Sequence, residues 1–242
     1  MQINSYKVPQ KAIPFNGLQE NLAMGKKITR EFRKEFGRLH SNSWLELLER
    51  RNENHNSSFA KFASLHRKYL EEGAMLRERG NGFFQKKFNS KEEFLEQLKF
   101  RMKLHHFGNC FEQAIVISNM LKDKNLKAKQ LLLNFNFNGY FKSDAPNYQH
   151  HINILDYGSK FNASNPASWG EDAIIVDTWG ASSGVINAKD AKDYFFDLFS
   201  LSKNSYRFLP EEREYKIVEN KLRFVSDNRV YDIYGKKLER KI

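Results

Sequence analysis

Four residues of the chain carry side chains that could together break an amide bond, although they lie far apart in the sequence. Cys110 is the only cysteine among the 242 residues, and it stands in the stretch GNCFEQA just before an apolar, helix-patterned segment, AIVISNML. His150 and His151 open the apolar run HHINIL, and Asp177 closes the run IIVD. A thiol, an imidazole and a carboxylate can serve as nucleophile, base and orienting group when a fold brings them together.

The position of Cys110 at the first turn of a predicted helix would activate its thiol. The N-terminus of a helix presents unpaired N–H groups and a partial positive charge, which favour a thiolate over a thiol. The same N–H groups can stabilise a developing oxyanion. The alternative is a buried structural cysteine, because a free cysteine commonly behaves as a small hydrophobic residue.

Hydrophobic spacing predicts the elements that must position these residues. The region from Leu18 to about residue 100 has mainly helical spacing, with possible capping boxes at Ser43 with Glu46 and at Ser90 with Glu93. The predicted elements after that region are a helix from Cys110 to about Lys124, strands at 126–137, 150–155 and 172–179, a helix at 187–200, and a terminal hairpin formed by KLRFV and RVYDIY. Helices followed by strands and a later helix predict an α+β fold.

This pattern divides the chain into three parts. Residues 1–16 contain Pro9 and Pro14 without a clear hydrophobic period and are predicted to be a flexible leader. Residues 17–103 are predicted to form a helical region that serves in targeting or support. Residues 104–242 hold the candidate chemistry and are predicted to form a catalytic domain that ends in the hairpin.

The three motifs, taken in order, resemble the transglutaminase-like, papain-fold cysteine enzymes, and most closely the branch found as bacterial effector and toxin domains. The matching features are GNC-x-E-x-A before an apolar helix, a histidine that opens an apolar strand, and an apolar strand that ends in D-x-W, over about residues 104–200. The resemblance implies a papain-like core in which the helix carrying the cysteine packs on an antiparallel sheet. It also implies a nucleophilic Cys110, a histidine base and an orienting Asp177, with no metal or organic cofactor.

The histidine pair offers two candidates for the base. Side chains alternate along a strand, so His150 and His151 are expected on opposite faces and only one can meet Cys110. His151 aligns better with the family and is the predicted base, and His150 is the alternative. Asp156 and Asp172 are weaker substitutes for Asp177.

The oxyanion site is less well defined by the motifs. Papain-type enzymes place a glutamine shortly before the cysteine, but Leu104 stands there in this chain. Asn109, or main-chain N–H groups alone, are the candidates that remain. Glu112 and Gln113 are predicted to cap the helix or pack near its start, and Trp179 is predicted to pack in the core.

The function implied by the resemblance is cysteine-dependent hydrolysis of an amide in a protein substrate, through an acyl-enzyme. Glutamine deamidase, peptidase and cross-linking transglutaminase remain open, because they share that intermediate and differ in the amide attacked or in the group that attacks the acyl-enzyme. A host protein is the expected substrate, and the expected location is secreted or delivered into a host cytosol by a bacterial secretion system, otherwise cytoplasmic. The N-terminal sequence lacks the pattern of a classical signal peptide, and no run of about 18 apolar residues predicts a membrane span.

Charge leaves a non-enzymatic alternative open. The net charge of +11 would suit nucleic acid, an anionic surface or an acidic protein. The basic residues are scattered and not interleaved with aromatic residues, so no specific nucleic-acid partner is predicted, and Lys26, Lys27, Arg30 and Arg33 are interpreted as an exposed helix face. A basic helical binding module with a structural cysteine is therefore the alternative function.

A zinc site is a further alternative to the thiol chemistry. His105 and His106 could join Cys110 and His150 as ligands, since His106 and Cys110 are four residues apart. Gly108 is expected to interrupt a helix between them, so no metal is predicted.

Overall fold

The computed structural model describes residues 17–37, 39, 41, 82–138, 148–180, 183–226, 229–232 and 237–241. The leader predicted for residues 1–16 and the capping box predicted at Ser43 and Glu46 lie outside these residues. Within them, helices and antiparallel sheets occur together, which confirms the mixed α+β class.

Four α-helices and nine strands have both ends within the described part of the chain, and residues 82–85 are also helical. The helices are α1 Leu18–Phe36, α2 Lys91–His105, α3 Cys110–Asp123 and α4 Ala191–Leu198. The strands are β1 Ala128–Phe137, β2 Tyr148–Leu155, β3 Ile174–Val176, β4 Val185–Asn187, β5 Tyr206–Glu212, β6 Glu214–Val218, β7 Lys221–Ser226, β8 Arg229–Tyr231 and β9 Lys237–Lys241. No helix in these ranges is long and apolar enough to cross a membrane.

The strands form two antiparallel sheets. The larger sheet has the order β4-β3-β2-β1-β5, and the smaller one is the meander β6-β7-β8-β9. The predicted terminal hairpin corresponds to β7 and β8, which pair antiparallel. No pattern in the sequence predicted β5, which contains Pro210; a proline is tolerated there because β5 is an edge strand of its sheet.

Both faces of the larger sheet are covered. Leu155, Ile174 and Val176 belong to a core that they share with α1, α2 and α3, whereas Ile152, Ile154 and Ile175 belong to a core that they share with α4. Helix α1 is part of the first core through buried residues such as Ile28 and Phe32. The helices before residue 104 therefore share a core with the helix that begins at Cys110.

Local signals in the sequence explain how the front helices form. The hydroxyl of Ser90 accepts a hydrogen bond from the main-chain N–H of Glu93 at 3.1 Å, as the capping box predicts. The apolar stripe predicted for α2 is buried: Phe94, Leu95, Leu98 and Met102. The basic residues predicted to form an exposed face of α1 are exposed: Lys26, Lys27, Arg30 and Arg33.

Candidate active site

Cys110 is the first residue of α3, as predicted. Asn109 precedes it as the N-cap, and the main-chain N–H of Asn109 donates to Oε2 of Glu112 at 3.1 Å in a capping box. Glu112 thus has the predicted capping role. The main-chain N–H groups of Cys110 and Phe111 point out of the first turn, where no intrahelical acceptor exists. The thiol is free and partly buried, and it packs against the apolar core on the α4 side of the sheet.

The start of α3 lies beside the α4 side of the larger sheet at a point that the short strand β3 does not cover. Strand β3 pairs with β2 only over Asn153–Leu155, so the beginning of β2 extends beyond the end of β3. The chain that follows β3 is fastened to α3, because Oγ1 of Thr178 donates to Oε1 of Gln113 at 2.7 Å. Gln113 is buried, as predicted, and its Nε2 donates to the carbonyl oxygen of Gly108 at 2.8 Å.

His150 and Asp177 form a buried pair beside the thiol. Nε2 of His150 lies 2.7 Å from Oδ2 of Asp177, and the two side chains are only 1% and 2% exposed. The other carboxylate oxygen, Oδ1, accepts the main-chain N–H groups of Trp179 and Gly180 at 3.0 Å each. An acceptor-only carboxylate at Nε2 holds the imidazole in a fixed orientation, with a proton on Nε2.

The electrostatic environment of His150 favours its charged form. Burial by itself would lower the pKa of the imidazole. The charge and hydrogen bond of Asp177, together with the nearby Cys110 thiol, outweigh burial and raise the pKa of His150 to about 10. The ring nitrogen Nδ1 is buried and forms no hydrogen bond in the described part of the chain. Cys110 packs against the same core as the His150 ring, which contacts Phe195 and Phe199.

The prediction that His151 meets the thiol and the carboxylate is wrong. The two histidines do lie on opposite faces of β2, as alternation requires. His150, however, is the one that binds Asp177, and it lies on the same face of β2 as Ile152 and Ile154. The ring of His151 instead packs against Phe111 at 5.2 Å and Tyr215 at 6.1 Å, measured between ring centroids. Burial and the positive charges of Arg213 and His150 lower the pKa of His151 to about 3, so this ring is neutral at neutral pH.

The weaker carboxylate candidates have another role, because both hold the start of α1. Oδ2 of Asp156 accepts from Nδ2 of Asn21 at 2.9 Å. Oδ1 of Asp172 accepts from the main-chain N–H of Leu18 at 3.0 Å. Asp177 is therefore the carboxylate that the fold brings to a histidine.

Sequence reasoning missed Ser41, which links the two sides of the site. The indole N–H of Trp179 donates to Oγ of Ser41 at 2.7 Å, and Ser41 in turn donates to Oδ1 of Asn109 at 3.0 Å. Ser41 is fully buried, although no local pattern distinguishes it from other serines in the sequence. The Trp179 ring is 5% exposed, as predicted for a core residue, and lies 4.8 Å from the His150 ring. The side-chain oxygen of Asn109, the residue predicted for the oxyanion site, is an acceptor in this link.

Gly180 is a second residue that sequence reasoning missed. A Cβ atom at this position would lie 2.5 Å from Oδ2 of Asp177 and 3.3 Å from Nε2 of His150. The hydroxyl of Tyr194 donates to the carbonyl oxygen of Gly180 at 2.7 Å and fixes this turn. Glycine is therefore required for the backbone to approach the His150–Asp177 hydrogen bond so closely.

His105 and His106, which were considered as zinc ligands, do not join Cys110 and His150 in a metal-binding group. Helix α2 ends at His105, and His106 has a left-handed backbone with φ of 48°, so His106 and Cys110 do not share a helix. Within the described ranges, no group of three or more histidine, cysteine, aspartate or glutamate side chains is arranged to hold a metal ion.

The assembled site thus contains a partly buried thiol at a helix N-terminus beside a buried histidine, which is hydrogen-bonded to a carboxylate. Such a group can supply a nucleophile and a proton donor within one small volume. Comparison of the chain with protein-family models, with curated proteins and with solved structures found no match in any of the three.

Proposed function

We propose that the protein is a cysteine-dependent amide hydrolase that acts on a protein substrate through an acyl-enzyme at Cys110. The observation that carries the proposal is the buried His150, which binds Asp177 through Nε2 at 2.7 Å and whose ring contacts the same core as the Cys110 thiol. The sequence resemblance to transglutaminase-like, papain-fold enzymes supports it further. A papain-like core, with α3 packed on the antiparallel sheet, is part of the same proposal.

In the first half of the proposed reaction, Cys110 acts as a thiolate beside the His150 imidazolium. The sulfur attacks the carbonyl carbon of the amide, and the carbonyl oxygen becomes an oxyanion that accepts the main-chain N–H of Cys110. Nδ1 of His150 then gives its proton to the leaving nitrogen as the carbon–nitrogen bond breaks. Asp177 keeps its hydrogen bond to Nε2 throughout and holds the ring in place.

In the second half, a water molecule replaces the amine beside the acyl-enzyme. His150, now neutral, takes a proton from this water at Nδ1 while the oxygen attacks the thioester carbon. The carbon–sulfur bond breaks, the carboxylic acid leaves, and the thiolate–imidazolium pair is restored. If an amine attacks in place of water, the product is a cross-link.

The partner and location that we propose come from the same resemblance. Effector and toxin domains of this type act on host proteins, so we propose a host protein as the substrate, and secretion or delivery into a host cytosol as the route to it. The exposed basic face of α1 could bind an anionic surface that the protein meets on the way to its substrate. This face includes Lys26, Lys27, Arg30 and Arg33.

Mass spectrometry of candidate host or cytosolic proteins tests the proposed function. Proteins incubated with the wild type are compared with those incubated with Cys110→Ala, which removes the thiol and should leave the fold intact. A gain of about 1 Da on a glutamine indicates deamidation, a cut chain indicates peptidase activity, and an added linkage indicates cross-linking. A wild-type product pattern that Cys110→Ala reproduces would contradict the proposal and favour a basic binding module.

A further inference from the structure

A cleft lined by both charged and apolar residues lies along a different part of α3 from the thiol. Its volume is about 230 Å³, and it is bounded by α3, the start of α2, β1 and the connection from β5 to β6. The residues of α3 that line it include Ile115, Ser118 and Lys122. At 1.5 Å of rise per residue, Ile115 is about 7.5 Å along the helix from Cys110.

Positive charge predominates around this cleft. Lys91, Lys122, Lys129 and Arg213 line it with Glu212 and Glu214, so the cations exceed the carboxylates by two. Two of the cations already have carboxylate partners, because Lys129 binds Glu212 at 2.5 Å and Arg213 binds Glu211.

The remaining two cations, Lys91 and Lys122, are poorly compensated. Nζ of Lys122 is 3.9 Å from Glu214, whose carboxylate is also 2.9 Å from Lys216. Burial, and then the charge of Lys122, lower the pKa of Lys91, and the charges of Glu214, Glu92 and Asp123 offset this lowering only in part. An anion in the cleft would relieve the repulsion between these two ammonium groups.

A buried donor in the same cleft also lacks an acceptor. Gln130 lines the cleft from β1 and is only 6% exposed. Its Nε2 atom is buried and has no hydrogen-bond partner in the described part of the chain. Buried polar groups are normally paired, and an unpaired one indicates a missing ion, water or ligand group.

We infer that this cleft binds a phosphate monoester. A phosphate monoester carries about −1.5 to −2 charges at neutral pH and offers only acceptor oxygens, which matches an excess of two cations and an unpaired amide donor. Lys91 and Lys122 would bind the phosphate oxygens, and Nε2 of Gln130 would donate to one of them. The apolar wall provided by Ile115 and Tyr215 leaves room for the organic part of the ester.

Calorimetric titration of the full chain with O-phosphoserine and with inorganic phosphate tests the inference, and malonate is the comparison anion. Saturable one-to-one binding is expected for both phosphate compounds, with much weaker binding of malonate. Lys91→Gln and Gln130→Leu should each weaken phosphoserine binding by about tenfold or more, because each removes a hydrogen bond to a charged ligand. Lys189→Gln removes the same charge from an exposed lysine outside the cleft and should change the affinity by less than about twofold.

Three results would overturn the inference. They are the absence of saturable phosphate or phosphoserine binding, equal affinity for malonate, and an equal loss of affinity in Lys189→Gln and Lys91→Gln. Thermal unfolding of each variant verifies that it is folded, and Lys91→Gln keeps a long polar side chain at the first residue of α2. The titration does not use the thiol, so its outcome is independent of the proposed hydrolase activity.

Discussion

The two faces of β2 hold adjacent histidines with opposite properties. On the α4 side, Asp177 and the Cys110 thiol raise the pKa of His150 to about 10. On the α3 side, His151 lies among Phe111 and Tyr215, and burial with two nearby positive charges lowers its pKa to about 3. Burial disfavours the charged form of both rings, so the difference comes from the partners that each face supplies.

The comparison shows that the chemistry of a histidine is set by its partners and not by its place in a motif. At neutral pH, His150 is positively charged and can act as an acid, whereas His151 is neutral. A one-residue change in strand register would exchange the two faces and the two roles.

The largest expected effect is a loss of turnover when His150 is replaced. His150→Ala should slow product formation on the substrate found by mass spectrometry by about 100- to 10,000-fold, because it removes the acid–base group. His151→Ala should slow it by less than about tenfold. A greater loss in His151→Ala than in His150→Ala would reverse the assignment of the two faces.

The next largest effect is expected from Asp177→Asn, which removes the charge that raises the pKa of His150. Turnover should fall by roughly 100-fold, since the imidazolium and the orientation of the ring are both weakened. Asp172→Asn is the matched control, because its carboxylate binds the start of α1 and should leave turnover close to that of the wild type. Similar losses in the two variants would mean that Asp177 acts only on stability.

The sequence predicted the parts of the site that depend on local patterns. Capping and apolar spacing located Cys110 at a helix start, and strand alternation separated His150 from His151. The choice between the histidines depends on how β1, β2 and β3 pair and on the turn after Asp177, which local patterns do not encode. Ser41 was missed for the same reason, because its two partners are distant in sequence.

A smaller effect is expected from Ser41→Ala, which tests whether the region before residue 104 acts only in targeting or support. The substitution removes the hydroxyl that accepts from the Trp179 indole and donates to Asn109, so turnover should fall by about tenfold through misplacement of the Trp179 ring beside His150. Ser41→Thr should restore most of the activity, because it keeps the hydroxyl. If Ser41→Ala changes only the melting temperature and leaves kcat unchanged, Ser41 is not a positioning residue.

The last effect concerns the pH dependence of stability, with a slope on the order of 1 kcal/mol per pH unit. The raised pKa of His150 contributes stability that is complete below its unfolded pKa of about 6.5 and is lost as pH rises through about 10. The lowered pKa of His151 contributes stability that is present above about pH 6.5 and is lost as pH falls toward about 3.

Urea unfolding from pH 5 to 10 measures these two dependences. His150→Gln should flatten the alkaline decline in the free energy of unfolding, and His151→Phe should flatten the acidic decline. Each variant is the control for the other. Identical pH profiles for the two variants would contradict the difference between the faces.

Alkylation of Cys110 by iodoacetamide at about pH 6 tests the central claim most directly, because it needs no knowledge of the substrate. A thiolate held by the His150 imidazolium should react quickly at this pH in the wild type and in His151→Gln. His150→Gln should slow the reaction by about 10- to 100-fold. A wild-type rate that follows ordinary thiol ionisation near pH 8.5, and that His150→Gln leaves unchanged, would show that Cys110 is a structural cysteine.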